Sequence, residues 1–261
     1  MKASVDTVSQ SLDEVRNYWE WYMERTQVPG QEFGSKGYFD SIRVDHERAY
    51  GYANELLDLS RLRGRSLLEL GCGIGLDTVE FARHGAEVTA VDASPMALDL
   101  ARKNLEHNGL QARLEYGNAE GLDFEADSFD FVVARGILMF TPDDLRIVDE
   151  IHRVLTPGGE AQALLHKRLS WYVLLARATG TNLVHEDGDP PINRLYSEAD
   201  VRRMFDRFSS HQTSYGRFPY ATRRTGLFAQ AFNRIFVLST RALPSALLHS
   251  LGYYLIVKVV K

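Results

Sequence analysis

The sequence predicts an α/β protein in which a mostly parallel β-sheet is covered by helices on both faces. From Ser66 onward, short apolar segments alternate with helical segments of roughly 10–15 residues, which is the pattern of strands joined by helical crossovers. A glycine-rich turn within Glu69–Gly75 separates the first strand from the first of these helices. Polar and charged residues stand where the following strands end. Together these features predict a ligand site at the carboxyl edge of the sheet.

The residues before the first strand predict a helical cap. Ser9–Thr26 has helical periodicity and is rich in aromatic residues, and Phe39–Leu59 predicts a second helix. A loop with several glycines and Pro29 lies between them. We therefore expect residues 1–62 to form an N-terminal helical cap that packs on the core.

The central part of the chain predicts five strands and three helices. Ser94 is placed as the N-cap of its helix, Pro95 as the first helical residue, and Gly109 as the residue that closes it. The expected strands are Ser66–Leu70, Glu87–Asp92, Arg113–Tyr116, Asp130–Ala134 and Ala161–His166, and the expected helices are Leu76–His84, Ser94–His107 and Asp143–Leu155. This region, residues 63–167, is the predicted core.

Residues 168–261 are expected to complete the same domain and to add a lobe beside the site. The pattern predicts an insertion over Lys167–Leu195, a helix over Ser197–Phe208 and a strand near His211–Tyr215. An apolar helical stretch from Gly226 and a final strand, Tyr254–Val260, follow. The last two strands are expected at the sheet edge.

Composition and charge narrow the classes of function. The chain has 261 residues, 44% hydrophobic and 25% charged, as in ordinary globular proteins. A single cysteine, Cys72, excludes an intramolecular disulfide and favours a reducing cytoplasm, and the N-terminus shows no signal-peptide pattern. Residues 1–156 carry 16 Lys and Arg against 28 Asp and Glu, whereas residues 157–261 carry 14 against 7. This balance disfavours nucleic acid as a partner and leaves peripheral membrane contact open.

The glycine turn and the residue that ends the second strand point to a nucleotide-like ligand. Gly71, Gly73 and Gly75 allow the backbone to turn sharply and to approach a bulky ligand closely. The dinucleotide fingerprint has a third glycine where this chain has Leu76. Asp92 ends the second strand, where its carboxylate is suited to accept hydrogen bonds from ribose hydroxyls.

The glycine turn resembles motif I of class I S-adenosylmethionine (SAM) methyltransferases. The resemblance extends through Asp127–Asp130, Arg135–Leu138 and Val154–Gly159, in the order and spacing of that family, and covers about residues 64–167. It implies a Rossmann-like, seven-stranded, mostly parallel sheet with an antiparallel last strand. It also implies SAM as cofactor and S-adenosylhomocysteine (SAH) as product.

The resemblance and the strand ends together nominate the cofactor site. Glu69 resembles the acidic residue that faces the methionine end of SAM, and Gly117–Glu120 resembles the adenine loop. Met96 is a candidate for one face of the adenine and equally for the core. The predicted cofactor-binding residues are Glu69, Gly71, Cys72, Gly73, Gly75, Asp92, Ala93, Met96, Asn118, Ala119, Glu120 and Arg135.

The sequence gives weaker evidence for the acceptor site than for the cofactor site. His166, at the end of the fifth strand, and His185, in the insertion, are the candidate general bases, and each also has a structural interpretation. The candidate acceptor-binding residues are Tyr38, His46, Arg194 and Tyr196. The insertion is loosely similar to the acceptor lobe of ubiquinone-type O-methyltransferases. Unlike those enzymes, the chain has Arg135–Phe140 after the fourth strand in place of an acidic and histidine cluster, so we expect no metal.

The resulting hypothesis is a SAM-dependent methyltransferase that transfers a methyl group by in-line displacement to a small or lipid-like acceptor. Oxygen is the first choice of nucleophile, followed by nitrogen or carbon. A SAM-binding regulatory or scaffold protein without turnover is the main alternative. An oxidoreductase and an aminopropyl transferase are further alternatives, disfavoured by Leu76 and by the basic C-terminal part. The oligomeric state is left open.

Overall fold

A seven-stranded sheet organises the part of the chain that the structure describes. The computed structural model describes residues 5–180, 182–184, 188–216, 234, 235, 238 and 251–261. The strands are β1 Ser66–Leu70, β2 Glu87–Asp92, β3 Arg113–Tyr116, β4 Phe129–Arg135, β5 Leu155–His166, β6 Ser210–Gly216 and β7 Tyr254–Val260. The helices are α1 Val5–Arg25, α2 Lys36–Leu57, α3 Leu76–Arg83, α4 Pro95–His107, α5 Asp144–Val154, α6 Trp171–Thr179 and α7 Glu198–Met204. Short 3₁₀ turns cover Leu59–Leu62 and Leu138–Phe140.

The strand order is β3-β2-β1-β4-β5-β7-β6. The first five strands are parallel to one another, whereas β7 runs antiparallel to both β5 and β6. The predicted mostly parallel sheet with an antiparallel last strand is therefore confirmed. β7 lies between two strands that precede it in sequence, so β6 forms the edge.

Helices begin where the sequence places capping residues. The hydroxyl of Ser94 accepts a hydrogen bond from the backbone N–H of Ala97, which starts α4, and Pro95 occupies its first turn. Ser197 and Asp200 form a reciprocal capping box at the start of α7. These caps satisfy backbone donors that have no partner inside the helix.

Apolar side chains cover both faces of the sheet. On one face, α3 and α4 bury Phe81, Leu98 and Ala101 against β1, β2 and β4. On the other, α5 and α6 bury Ile151 and Val173 in a larger cluster that reaches β5 and β7. The cap joins the core where Tyr38 and Phe39 of α2 meet Leu100 of α4. This burial of apolar area is the main favourable term for the fold.

Several limits differ from the sequence prediction by a few residues, and two elements, β5 and α6, differ most. β5 begins at Leu155, not at Ala161, because the Pro157-Gly158-Gly159 segment is accommodated as an irregularity in the ladder. The pairing shifts there from Phe129 opposite Leu155 to Phe131 opposite Glu160. Helix α6 lies within Lys167–Leu195, the segment that was predicted only as an insertion. Its sequence, WYVLLARAT, is apolar around most of its circumference and therefore carries no clear helical periodicity.

Most of the predicted apolar helical stretch that follows Gly226 lies outside the residues that the structure describes. No helix in the described parts of the chain is long and apolar enough to cross a membrane.

The contact between Gly75 and α4 gives a stability prediction. A Cβ on Gly75 would lie 2.9 Å from Ala101 Cβ and 3.0 Å from Ala101 Cα, at a backbone φ of +74°. Gly75→Ala should lower the free energy of unfolding by at least about 2 kcal/mol, from left-handed backbone strain plus the clash. Gly109→Ala is the matched control, because its φ of +65° brings strain while a Cβ would meet open space. Equal losses for the two variants in urea unfolding would show that the helix contact adds nothing.

Candidate functional site

The glycine turn between β1 and α3 forms the floor of the site. The backbone N–H of Gly71 donates to the carbonyl of Val91 at 2.8 Å, which holds the turn against the end of β2. Gly71, Gly73 and Gly75 all have positive φ, a conformation that glycine adopts without steric cost. A Cβ on Gly73 would point into open space. The turn therefore presents bare backbone to a cavity.

Asp92 ties the turn to the start of α4. One carboxylate oxygen accepts from Gly73 N at 2.8 Å, and the other accepts from Ser94 N at 2.9 Å. Burial raises the pKa of Asp92, and these backbone hydrogen bonds act in the opposite direction. A carboxylate oxygen has more than one acceptor direction, so Asp92 keeps the capacity to accept further hydrogen bonds.

The first cavity lies above Asp92 and has a volume of about 400 Å³. Its walls come from the glycine turn, the end of β2, the loop after β3 and one face of α1. Of the predicted cofactor residues, this cavity is lined by Gly71, Gly73, Asp92, Ala93, Asn118 and Ala119. The structure thus brings together residues that are up to 48 positions apart in sequence, from Gly71 to Ala119.

Helix α1 covers this cavity, and at least three contacts among the described residues hold it there. Trp19 packs edge-on against Phe140, with ring centroids 5.0 Å apart. The Ser94 hydroxyl donates to the Glu20 carboxylate at 2.7 Å, and the Tyr18 hydroxyl donates to the Gly188 carbonyl at 2.9 Å. The helix therefore excludes solvent from one side of the site.

The second cavity, of about 460 Å³, continues from the first across Gly71 and Gly73. Aromatic rings form much of its wall. They are Trp19, Tyr22, Tyr50, Phe140, Tyr172, Tyr253 and Tyr254. Glu69, Cys72 and Arg135, three further predicted cofactor residues, line this second cavity. The cavity combines a flat, mostly apolar wall with a small polar group of side chains.

Glu69 belongs to that polar group and is buried. It accepts a hydrogen bond of 2.6 Å from the Thr78 hydroxyl of α3. Burial, with the nearby Asp77 carboxylate, raises the pKa of Glu69 to about 8. Before a ligand is bound, Glu69 is therefore largely protonated at neutral pH.

Arg135 fixes the geometry of the same region. Its guanidinium donates to the side-chain oxygens of Gln162 (2.6 and 2.9 Å) and Asn54 (2.7 Å). It also pairs with Asp77 at 3.2 Å. The contact with Asn54 connects the end of β4 to the cap helix α2, so Arg135 acts as a structural cross-link in the cavity wall.

His166 reaches the second cavity, in the position expected for the end of β5. Its ring stacks on Tyr253 with centroids 4.5 Å apart, and Nδ1 lies 3.4 Å from the side-chain oxygen of Asn193. Burial lowers the pKa of His166 to about 4. The imidazole is therefore neutral at physiological pH. The other candidate base, His185, is outside the described residues.

Three predicted cofactor residues, Gly75, Met96 and Glu120, are not among the described residues that line the two cavities. Met96 packs beside Tyr38, Phe39 and Leu100, so the core interpretation holds and the adenine contact is not supported. The carboxylate of Glu120 accepts from the Thr141 hydroxyl and from Asp143 N, and it therefore braces the start of α5. The carbonyl of Gly75 accepts a hydrogen bond of 3.4 Å from the side-chain amide of Asn104, so this end of the turn faces α4.

The four predicted acceptor residues separate into two pairs. Tyr38 lines the first cavity, where burial and the nearby Tyr22 raise its pKa to about 12, and His46 lines the second. Arg194 donates to the backbone carbonyls of Thr141 and Pro142.

The hydroxyl of Tyr196 donates to the carbonyl of Leu138 and to Asp144. Among the described lining residues, Arg194 and Tyr196 are absent from both cavities, which corrects their predicted role. Instead, they hold the loop after β4 in place by donating to its backbone carbonyls, which would otherwise lack hydrogen-bond donors.

Sequence reasoning missed several residues of the second cavity, among them Asp77, Tyr50 and Tyr254. Asp77 is an ordinary acidic residue of the first turn of α3, and only the fold shows that it faces Arg135. The aromatic content of the first helix was a usable signal for Trp19 and Tyr22. No signal links Tyr254 to this site before the position of β7 is known.

Comparison with known proteins agrees with this geometry. Residues 67–159 match the family described as a methyltransferase domain. This segment contains the glycine turn, Asp92, Asn118 and Arg135. The resemblance of the core to class I SAM methyltransferases is thus confirmed for residues 67–159. The antiparallel β7 between β5 and β6 also agrees with the antiparallel last strand that the resemblance implies.

Curated relatives match the core of the chain only. A ubiquinone biosynthesis O-methyltransferase of Coxiella burnetii is 33% identical over 99 residues, 38% of this chain and 42% of the relative. A magnesium-protoporphyrin O-methyltransferase of Rhodobacter capsulatus is 38% identical over 92 residues, 34% of this chain and 41% of the relative. The match thus spans about two fifths of the length of these relatives.

A solved structure extends the likeness in fold. Magnesium protoporphyrin IX methyltransferase from Synechocystis, with bound SAH, superposes with a TM-score of 0.63 at 16% identity. The superposition covers 96% of this chain and 99% of that one. At this identity the likeness concerns the fold alone.

Glu69 gives a prediction about stability and pH. Between pH 4.5, the ordinary pKa of a glutamate, and about 8, the folded protein holds a proton that the unfolded chain has lost. This contribution to stability is complete below pH 4.5 and is lost as the pH rises through 8, with a slope of at most about 1.4 kcal/mol per pH unit. The free energy of unfolding of Glu69→Gln should therefore fall less than that of the wild type between pH 5 and pH 8.5. Urea unfolding across that range tests this, with the exposed Glu106→Gln as control; parallel profiles for Glu69→Gln and wild type would contradict it.

Proposed function

We propose that this protein is a SAM-dependent methyltransferase that acts on a small or lipid-like acceptor with a flat apolar part. The observation that carries the proposal is the pair of joined cavities at the glycine turn, one beside Asp92 and one lined by aromatic rings. A cofactor cavity that opens into an acceptor cavity is what a two-substrate transfer requires.

The residues of the first cavity fit the nucleoside part of SAM. Asp92 is suited to accept hydrogen bonds from the ribose hydroxyls, and the loop with Asn118 and Ala119, which lines the same cavity, would lie beside the base. Gly73 leaves the space that a side chain would fill. Glu69, at the start of the second cavity, suits the methionine end, because its carboxylate would pair with an ammonium group.

When bound, SAM supplies a methyl group on a positively charged sulfur, a strong electrophile that needs little covalent help. The protein's task is then to hold the acceptor in line and to exclude water. Trp19 and Tyr22 of α1 border both cavities and close them from the same side. Tyr50, Tyr172 and Tyr254 offer faces on which a ring or an alkyl chain can pack.

An oxygen acceptor is our first choice, followed by nitrogen or carbon. The O-methyltransferases among the relatives support a small molecule, and the net charge of −5 favours it over nucleic acid. In the polar group of the second cavity, Arg135 and Asp77 form an ion pair. The single cysteine supports function in a reducing compartment such as the cytoplasm.

Asp92 tests the cofactor assignment. Asp92→Ala should weaken SAH binding about ten-fold or more, since a charge-assisted hydrogen bond is lost and the turn loses an anchor. Isothermal titration calorimetry with SAH measures the affinity. Asp99→Ala, on the exposed side of α4, is the matched control and should bind as wild type does. Unchanged affinity in Asp92→Ala would refute the ribose assignment.

Transfer itself is tested with SAM carrying an isotopically labelled methyl group. Purified protein, labelled SAM and a small-molecule extract should yield a labelled product that mass spectrometry identifies. We expect the label on an oxygen of a compound with an apolar ring or chain. Tight SAH binding without any labelled product would favour the alternative, a SAM-binding regulatory protein without turnover.

A further inference from the structure

The second cavity contains two histidines with different surroundings. His46 comes from α2 of the cap, and His166 comes from the end of β5. Both rings line the second cavity, which the glycine turn also borders. Their partners decide which of them is suited to take up a proton.

His166 has aromatic and neutral neighbours. Its ring is enclosed by Tyr253, Tyr254 and Phe140, and its polar contact is the amide of Asn193. Among the described residues, no carboxylate pairs with it. An imidazolium ion would be buried there without a counter-charge, which is unfavourable.

His46 has a carboxylate partner. Its Nε2 lies 3.6 Å from Asp77 Oδ1, and the same oxygen lies 3.2 Å from Nη1 of Arg135. The histidine side chain is 20% exposed and that of Asp77 is 12% exposed, so the pair borders the cavity and is only partly solvated.

Arg135 in turn is anchored by Gln162 and Asn54, so Asp77 is held in place. With Nε2 directed at Asp77, Nδ1 is the nitrogen left to accept a proton, and it has no hydrogen-bond partner among the described residues.

We propose that His46 is the general base for the acceptor and that Asp77 is its positioning residue. This assignment rests on the proposed function. The acceptor oxygen forms a bond to the methyl carbon while the carbon–sulfur bond breaks, and its electron pair stays on sulfur. The hydroxyl proton passes to Nδ1 of His46, and the imidazolium is stabilised by the Asp77 carboxylate before it releases the proton to solvent. His166 then belongs to the aromatic wall.

The charged groups around His46 come from three elements. Glu47 lies on its own helix, Asp77 on α3 and Arg135 at the end of β4. Burial and Arg135 lower the pKa of His46, while Asp77 and Glu47 raise it. The rate should therefore fall on the acid side as His46 becomes protonated before the reaction.

The test compares His46→Gln, His166→Gln and Asp77→Asn with His152→Gln, a control on α5 outside both cavities. Transfer of labelled methyl from SAM to the extract acceptor is measured from pH 5 to 9, and SAH affinity is measured by calorimetry. His46→Gln should lower the transfer rate about 100-fold or more and remove the acid limb, with SAH affinity within two-fold of wild type. Asp77→Asn should lower kcat about ten-fold or more with little change in KM, and His166→Gln should keep the acid limb.

Two results would overturn the assignment while leaving the proposed function intact. One is transfer by His46→Gln with the wild-type pH profile. The other is a loss of SAH affinity of ten-fold or more in that variant, which would make His46 a cofactor ligand. A wild-type protein that binds SAH but labels nothing would instead refute the proposed function and the assignment with it. If His46→Gln does not fold, long-range ¹H–¹⁵N spectra of the wild type decide, since protonation of neutral His46 on Nδ1 and not on Nε2 would overturn the proposal.

Discussion

The carboxylate of Asp92 is the contact on which the geometry of the site depends. It accepts backbone N–H groups from both Gly73 and Ser94 and so joins the glycine turn after β1 to the start of α4. Because the turn separates the two cavities, a shift in this contact would alter both. The backbone N–H of Gly71, bound to the Val91 carbonyl, holds the turn from the other side. The floor of the site therefore consists of main-chain groups, which the buried side chain of Asp92 holds in place.

The cap contributes to the site as directly as the sheet does. Helix α1 closes both cavities with Trp19 and Tyr22, and α2 supplies His46 and Tyr50 to the second one. The Arg135 guanidinium connects α2 to β4 and β5 through Asn54 and Gln162. Since these contacts desolvate several polar groups together, the cap and the core are expected to behave as one cooperative unit.

Much of the fold was predictable from the sequence, because strand alternation and helix caps are local signals. β1, β2, β3 and β7 have the predicted limits, and α4 begins after Ser94 as expected. Helix α6 was not predictable, since its sequence is apolar at most positions, the exposed Leu174 and Ala178 included, and hydrophobicity therefore does not mark its buried face.

Most residues of the predicted set that line the first cavity could be found from the strand ends and the glycine turn, whereas the direction of individual side chains could not. From their positions in the sequence, Glu120, Arg194 and Tyr196 were predicted to bind a ligand. In the structure, their side chains form hydrogen bonds with neighbouring backbone groups. The His46–Asp77 pair joins residues from two different elements and needed the structure.

The position of β7 has a consequence for how the chain reaches its folded state during synthesis. β7 hydrogen-bonds to β5 on one side and to β6 on the other, and Tyr253 and Tyr254 at its start form part of the second cavity. On the ribosome, β5 and β6 are made well before the strand that joins them, so β6 has no sheet partner until β7 emerges. The lining of the first cavity, built from residues up to Ile147, is translated earlier. A nascent chain therefore completes the wall of the first cavity before it completes that of the second.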